Sequence, residues 1–138
     1  MTALAANRTD AKLKYGEARG HPVKGSTHIY KHALVCKVGG YLAPALNTTG
    51  YSNVLGIAES EVNNTSTTDG AADLRVLSGL SINVAMTGVA QAGVQNQVVY
   101  VADDQTVTTV VNSGVQAGKL EGYVSSGVAR LFIPVGGA

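Results

Sequence analysis

Apolar and polar positions along this chain fall into short runs of period two, bounded by Gly, Asn, Asp and Pro. That is the pattern of half-buried strands separated by turns. The segment Val98–Thr108 reads as strand, acidic turn at Asp103-Asp104, strand; Gly118–Val124 and Val128–Pro134 follow as two more strands. Earlier, Ile29–Val38 forms a strand that Gly39-Gly40 turns into Tyr41-Leu42-Ala43, ended by Pro44 because proline cannot donate to a ladder. Val54–Val62 is a further strand with Gly56 at a bulge. Asp73–Leu77 alternates, and Ser78-Gly79 turns it into the alternating run Leu80–Met86. Thr106–Val111 favours β structure because branched side chains suit a pleated surface and lose rotamer freedom in a helix. Gly88–Asn96, rich in Gly, Ala and Gln, reads as either one helical turn or an irregular connection, and Thr2–Val23 carries neither period. The predicted fold is mainly β: a compact antiparallel barrel or sandwich spanning residues 25–138 as a single domain, preceded by an extended basic N-terminal arm, residues 1–24.

Composition narrows the picture. The 138 residues are 45% hydrophobic, built largely from Ala and Val with one Phe and no Trp, so the core is expected to consist of small branched contacts. Charged residues make up 14%, against roughly 25% in typical soluble domains, and a surface so poor in charge suits burial in an assembly. The net charge of +1 conceals an asymmetry. Residues 1–37 hold seven cations (Arg8, Lys12, Lys14, Arg19, Lys24, Lys31, Lys37) against Asp10 and Glu17, a balance of +5; the remainder holds three against seven, −4. A basic arm on an acidic body can steer docking onto a surface of opposite sign.

Few residues are arranged for chemistry. His28 and His32 would share a helix face, but on a strand they stand roughly 13 Å apart, too far to share one ion. Asp103-Asp104 suits a hairpin turn, where Asp accepts from nearby amides, and no spaced acidic loop supplies the further oxygens a cation would need. Glu59 and Glu61 form the other close carboxylate pair, with no histidine near them in sequence. The glycines lack the strand-loop-helix context of a phosphate loop, and the basic arm lacks interleaved aromatics apart from Tyr15. Cys36 lies in an apolar run as a buried small hydrophobe. These features predict no enzyme, no metal, no cofactor, no nucleic acid and no membrane partner. With no export signal visible, synthesis in a reducing cytoplasm is expected.

Five segments, STHIYKHALV, GGYLAPA, GIAESEVNN, VYVADDQTV and GVARLFIPV, stand in an order and spacing that resembles the head decoration, or cement, proteins of tailed bacteriophages, over roughly residues 23–134. The resemblance implies a virion structural protein, made in the bacterial host cytoplasm, that binds the outer capsid surface and stabilises the expanded head by bridging coat subunits. It implies the major capsid protein as partner and a homo-oligomer, with a trimer favoured. The capsid-docking residues would be Arg8, Lys12, Lys14, Tyr15, Arg19 and Lys24 of the arm. His32 departs from the pattern, which has a small residue such as Gly before the Ala-Leu-Val run. The alternative is a β-sandwich module binding a receptor or carbohydrate, which exposed Tyr15, Tyr41, Tyr51 or Tyr123 on a flat platform would favour.

Overall fold

Strand β3 (Leu34–Val38) comes from the apolar run Ala33-Leu34-Val35-Cys36, and its side chains are needed on both faces of the sheet. A computed structural model describes residues 3–8, 17–89 and 96–138, and among these all regular structure is strand. β3 turns through Gly39 and Gly40, both at positive φ (59° and 90°), into β4 (Tyr41–Pro44), as the sequence predicts. On its other side β3 pairs with β5 (Gly56–Ala58), which pairs with β7 (Asp73–Ser78), which pairs with β1 (Glu17–Pro22). The order of this antiparallel sheet is β1-β7-β5-β3-β4. Beyond β1 the chain meets β4 through a bridge between Val23 and Leu42, drawing the two sheet edges together. A short ribbon of β2 (Thr27–Ile29) and β6 (Val62–Asn64) completes this lobe.

The second lobe is a closed barrel, β10-β8-β12-β11-β9. It comprises β8 (Leu80–Ala85), β9 (Val98–Asp103), β10 (Thr106–Thr108), β11 (Gln116–Ser125) and β12 (Val128–Ile133). A single parallel pair, Thr106 with Ala85, closes it.

Two apolar clusters fill the lobes, and the β3–β5 wall divides them. Leu34, Cys36 and Ile57 join Leu80, Ile82, Val99, Leu120 and Leu131 on the barrel side. Val35 and Ala58 join Val23, Ile29, Leu42, Leu74 and Val76 on the other. Successive side chains of a strand point to opposite faces, so an uninterrupted apolar run is what a wall between two cores requires.

The mainly β fold expected from the sequence is present, but several boundaries differ. Glu17–Pro22, expected within a free arm, is a strand whose six residues pair with β7, and Val23 is fully buried. The division at residue 24 is therefore not a structural boundary, because removing residues 1–24 would take an edge strand and a core valine. The run Ile29–Val38 breaks at His32, whose φ of +64° turns the chain. Val54–Val62 likewise divides into β5 and β6. Gly56 forms no bulge: its register with Val35 is regular, and it is small because a Cβ there would strike the Leu77 carbonyl of β7. Ser78-Gly79 does not join a hairpin; it passes the chain from the first sheet into the barrel.

Gly118 and Gly122 both interrupt β11, yet only one is constrained. Gly118 has φ +146° and its position for a Cβ is occupied by the Phe132 carbonyl, whereas nothing lies within 4 Å of a Cβ on Gly122. Gly122 is therefore free to accept a side chain. Gly118→Ala is expected to cost roughly 2–3 kcal/mol in chemical denaturation and Gly122→Ala to stay within about 0.5 kcal/mol. Equal effects at the two sites would contradict the close approach.

Candidate docking surface

Of the six residues expected in one docking arm, the structure describes Arg8, Arg19 and Lys24. Leu4 packs against the second apolar cluster, and its N–H donates to Asp104 Oδ1 at 2.8 Å. Asn7 Nδ2 donates to Glu61 Oε1 at 2.9 Å, and Asn7 Oδ1 accepts from Lys31 N–H at 2.9 Å. Arg8 is half-buried, with Nη2 donating to the Asn83 carbonyl at 2.6 Å. Residues 4–8 thus form a strap from the β9–β10 turn to β6 and β8, fixed partly by charge-assisted bonds, which are stronger than neutral ones. Arg8 is consequently part of the body. Arg19 is exposed on the edge strand β1, and Lys24 is half-buried with its N–H on the Leu42 carbonyl. Lys12, Lys14 and Tyr15 lie outside the described residues.

The titratable groups show what each cluster can do. Asp103 Oδ1 accepts from Gln105 N–H at 3.0 Å, the turn bond expected for an aspartate there. Asp104 is only 3% exposed; burial pushes its pKa up, against the Leu4 N–H, which favours the carboxylate, while neighbouring Asp103 adds to the rise. His28 Nε2 lies 2.6 Å from Glu61 Oε2, a contact that a separation of 33 positions hid in the sequence, and the His28 ring packs against Tyr30 at 4.1 Å. Hydrogen bonds from Asn7 and His28 hold the Glu61 carboxyl below its usual range. Glu59 meets Arg75 at 3.4 Å in an exposed pair of the kind that contributes little. The Cys36 thiol is pushed up to about 12 by burial, which keeps it protonated and unreactive. Among the described residues no three His, Cys, Asp or Glu side chains converge as metal ligands.

What the surface does present is branched apolar groups held in place. The run Thr106–Val111, expected to be one strand, leaves the barrel after Thr108, so Val110 and Val111 stand 56% and 51% exposed. Asn47 fixes this loop: its Nδ2 donates to the Val111 carbonyl at 3.0 Å, and its Oδ1 accepts from the N–H groups of Ser113 and Val115. Leu46, beside Asn47, is exposed as well. Nothing local in the sequence marks Asn47, and only its distant partners reveal it as a clamp. A rigidly held apolar patch is a contact surface in waiting. Of the tyrosines that a flat platform would need, Tyr15 lies outside the described residues, Tyr51 packs on the barrel-side cluster, Tyr41 lies beside Gly70, and Tyr123 is exposed on β11.

His32 accounts for its departure from the expected small residue. Its φ of +64° is a conformation glycine adopts freely, and its Nδ1 is buried with no hydrogen-bond partner among the described residues. Burial, with Lys31 and Arg8 nearby, lowers its pKa from the ordinary 6.5. A folded-state value below the unfolded one means that the unfolded chain takes up the proton first, so this stability is present above pH 6.5 and is lost as pH falls toward the lowered value. His32→Gly is expected to fold at least as stably as the wild type, while His32→Val loses roughly 1–2 kcal/mol from left-handed strain. Measured by thermal melting, the advantage of His32→Gly over wild type should widen between pH 7.5 and 5.5; a constant difference would exclude the histidine as the acid-sensitive group. The chain matches no protein-family model, and no curated protein sequence is significantly similar to it.

Proposed function

We propose that the chain is a head decoration protein of a tailed bacteriophage, which sits on the outer capsid surface as a homo-oligomer, trimeric by the resemblance, and stabilises the expanded head by bridging copies of the major capsid protein. The observation that carries this reading is where the five resembling segments fall. STHIYKHALV supplies β2 and the start of β3, GGYLAPA the glycine turn and β4, and GIAESEVNN β5 and β6. VYVADDQTV supplies the β9–β10 hairpin and GVARLFIPV supplies β12. Together they supply part of the dividing wall and strands in both lobes, while β1, β7, β8 and β11 lie outside them.

Two further features support the reading. The low charge and the clamped valines at 110 and 111 suit a subunit face buried in a lattice. Cementing needs many copies, so modest contacts per copy gain through multivalency, and no chemistry is required of any side chain. The strap assigns Arg8 to holding the body together, which leaves Lys12, Lys14, Arg19 and Lys24 as arm cations, of which Lys12 and Lys14 are tested first.

The test is co-sedimentation of the purified chain with expanded, undecorated heads of its own phage across a salt series. Saturable, stoichiometric binding is expected, with a Lys12→Glu, Lys14→Glu double variant binding more weakly at low salt because docking is steered by opposite charge. No saturable binding at any salt would overturn the proposal.

A further inference from the structure

Three basic residues of the first lobe sit at positions that strand alternation gives to its core. Arg19 and His21 of β1 stand opposite Val76 and Leu74 of β7, and Lys37 of β3 stands opposite Leu42 of β4. Val76, Leu74 and Leu42 all belong to the apolar cluster of this lobe. Directly opposed residues of an antiparallel pair share a face, so Arg19, His21 and Lys37 are on the core face of their strands. Arg19 and His21 line a cavity of about 70 Å³ together with Ser78 and Gly136, and Leu55 and Val76 are its apolar wall. Ser78 is only 5% exposed, and its Oγ accepts from the Gly136 N–H at 3.0 Å, so its own proton has no acceptor among the described residues. The His21 ring and the Lys37 ammonium likewise make no hydrogen bond or ion pair with a described residue. Burial, then Lys37, then Arg19 lower the His21 pKa from the ordinary 6.5, each by opposing a further positive charge in this space. β1 also carries Glu17, opposite Ser78, so the balance is three basic residues against one acidic.

Unspent donors beside positive charge call for an oxyanion, which accepts short charge-assisted bonds from all of them. Size narrows the choice: about 70 Å³ is little more than twice the roughly 30 Å³ share of a liquid water, room for one small ion and not for a nucleotide or a sugar. We propose that this cavity binds one free tetrahedral oxyanion, phosphate or sulfate, on the Ser78 hydroxyl, the His21 ring and the Arg19 guanidinium, with Lys37 adding its charge from β3. The ion ties the edge strand β1 to β7 and, through Ser78, to the chain at Gly136. The site lies wholly in the first lobe and does not require the decoration role.

The test is an NMR titration of the full-length, isotopically labelled chain with sodium sulfate, sodium phosphate and, at matched ionic strength, sodium chloride. Sulfate and phosphate are expected to give saturable shifts at the His21 ring and at the amides of Arg19, Ser78 and Gly136, and sulfate to raise the pH midpoint of the His21 ring above its value in chloride. Lys37→Met, which keeps the aliphatic stem and removes the charge, should weaken sulfate binding about fivefold, the loss of roughly one charge pair, and Ser78→Ala by about as much. Lys119→Met, on the exposed face of β11, should leave it unchanged. Phenyl phosphate, which carries the same head on a ring too large for the cavity, is expected to bind about tenfold more weakly than phosphate. Equal responses to chloride and sulfate, equal binding of phenyl phosphate and phosphate, or sulfate binding unchanged in both Lys37→Met and Ser78→Ala would overturn the proposal.

Discussion

The structure depends on one wall with two apolar faces. β3 and β5 together place Leu34, Cys36 and Ile57 against the barrel and Val35 and Ala58 against the other sheet. A strand in an ordinary half-exposed sheet stabilises one core; here each pair of neighbouring residues stabilises two. A polar substitution on either face would leave an unsatisfied group inside a core, so neither face of the wall can drift toward polarity. The same requirement explains why the core is made of Ala, Val, Leu and Ile. Side chains on both faces of a thin wall must be small and well fixed, and a tryptophan would have to push one lobe away from the other.

The surface features follow from this arrangement. Because the lobes meet along a wall, a groove is left where their rims diverge, and the N-terminal strap crosses that region from Asp104 to Asn83. The β9–β10 turn is a joint of the whole: the Asp104 carbonyl accepts from Leu34 N–H of the wall, its carboxylate from the strap, and Asp103 lines the groove. The loop with Val110 and Val111 is tied by Asn47 to the chain just after β4, so the exposed valines belong to the same interlobe face.

Much of this was legible in the chain, and what was not has particular causes. The Gly39-Gly40 hairpin, the turn at Asp103 and strand β12 carried local signals, a turn pair or an alternation, that no tertiary contact overrides. β1 escaped because Glu-Ala-Arg-Gly-His-Pro has no β-branched or large apolar residue to signal a strand, a composition that an edge strand tolerates. The passage from β7 to β8 looked like a hairpin because alternation is the same whether a strand's neighbour is the next in sequence or one in another sheet. Gly118 and Gly122 look alike in sequence, and only the Phe132 carbonyl separates them. The contact of His28 with Glu61 and the role of Arg8 in the strap join residues 33 and 75 positions apart, beyond what a local pattern encodes.

The shared wall is tested most directly by native-state hydrogen exchange across a denaturant series. If both cores depend on it, amides of Leu34 and Ile57 in the wall, Ile82 in the barrel and Leu74 in the other sheet exchange only through global unfolding, with one free energy and one denaturant dependence. Slow exchange persisting at Ile82 under conditions where Leu74 and Leu34 have already opened would show a barrel that stands without the wall, and would contradict this account.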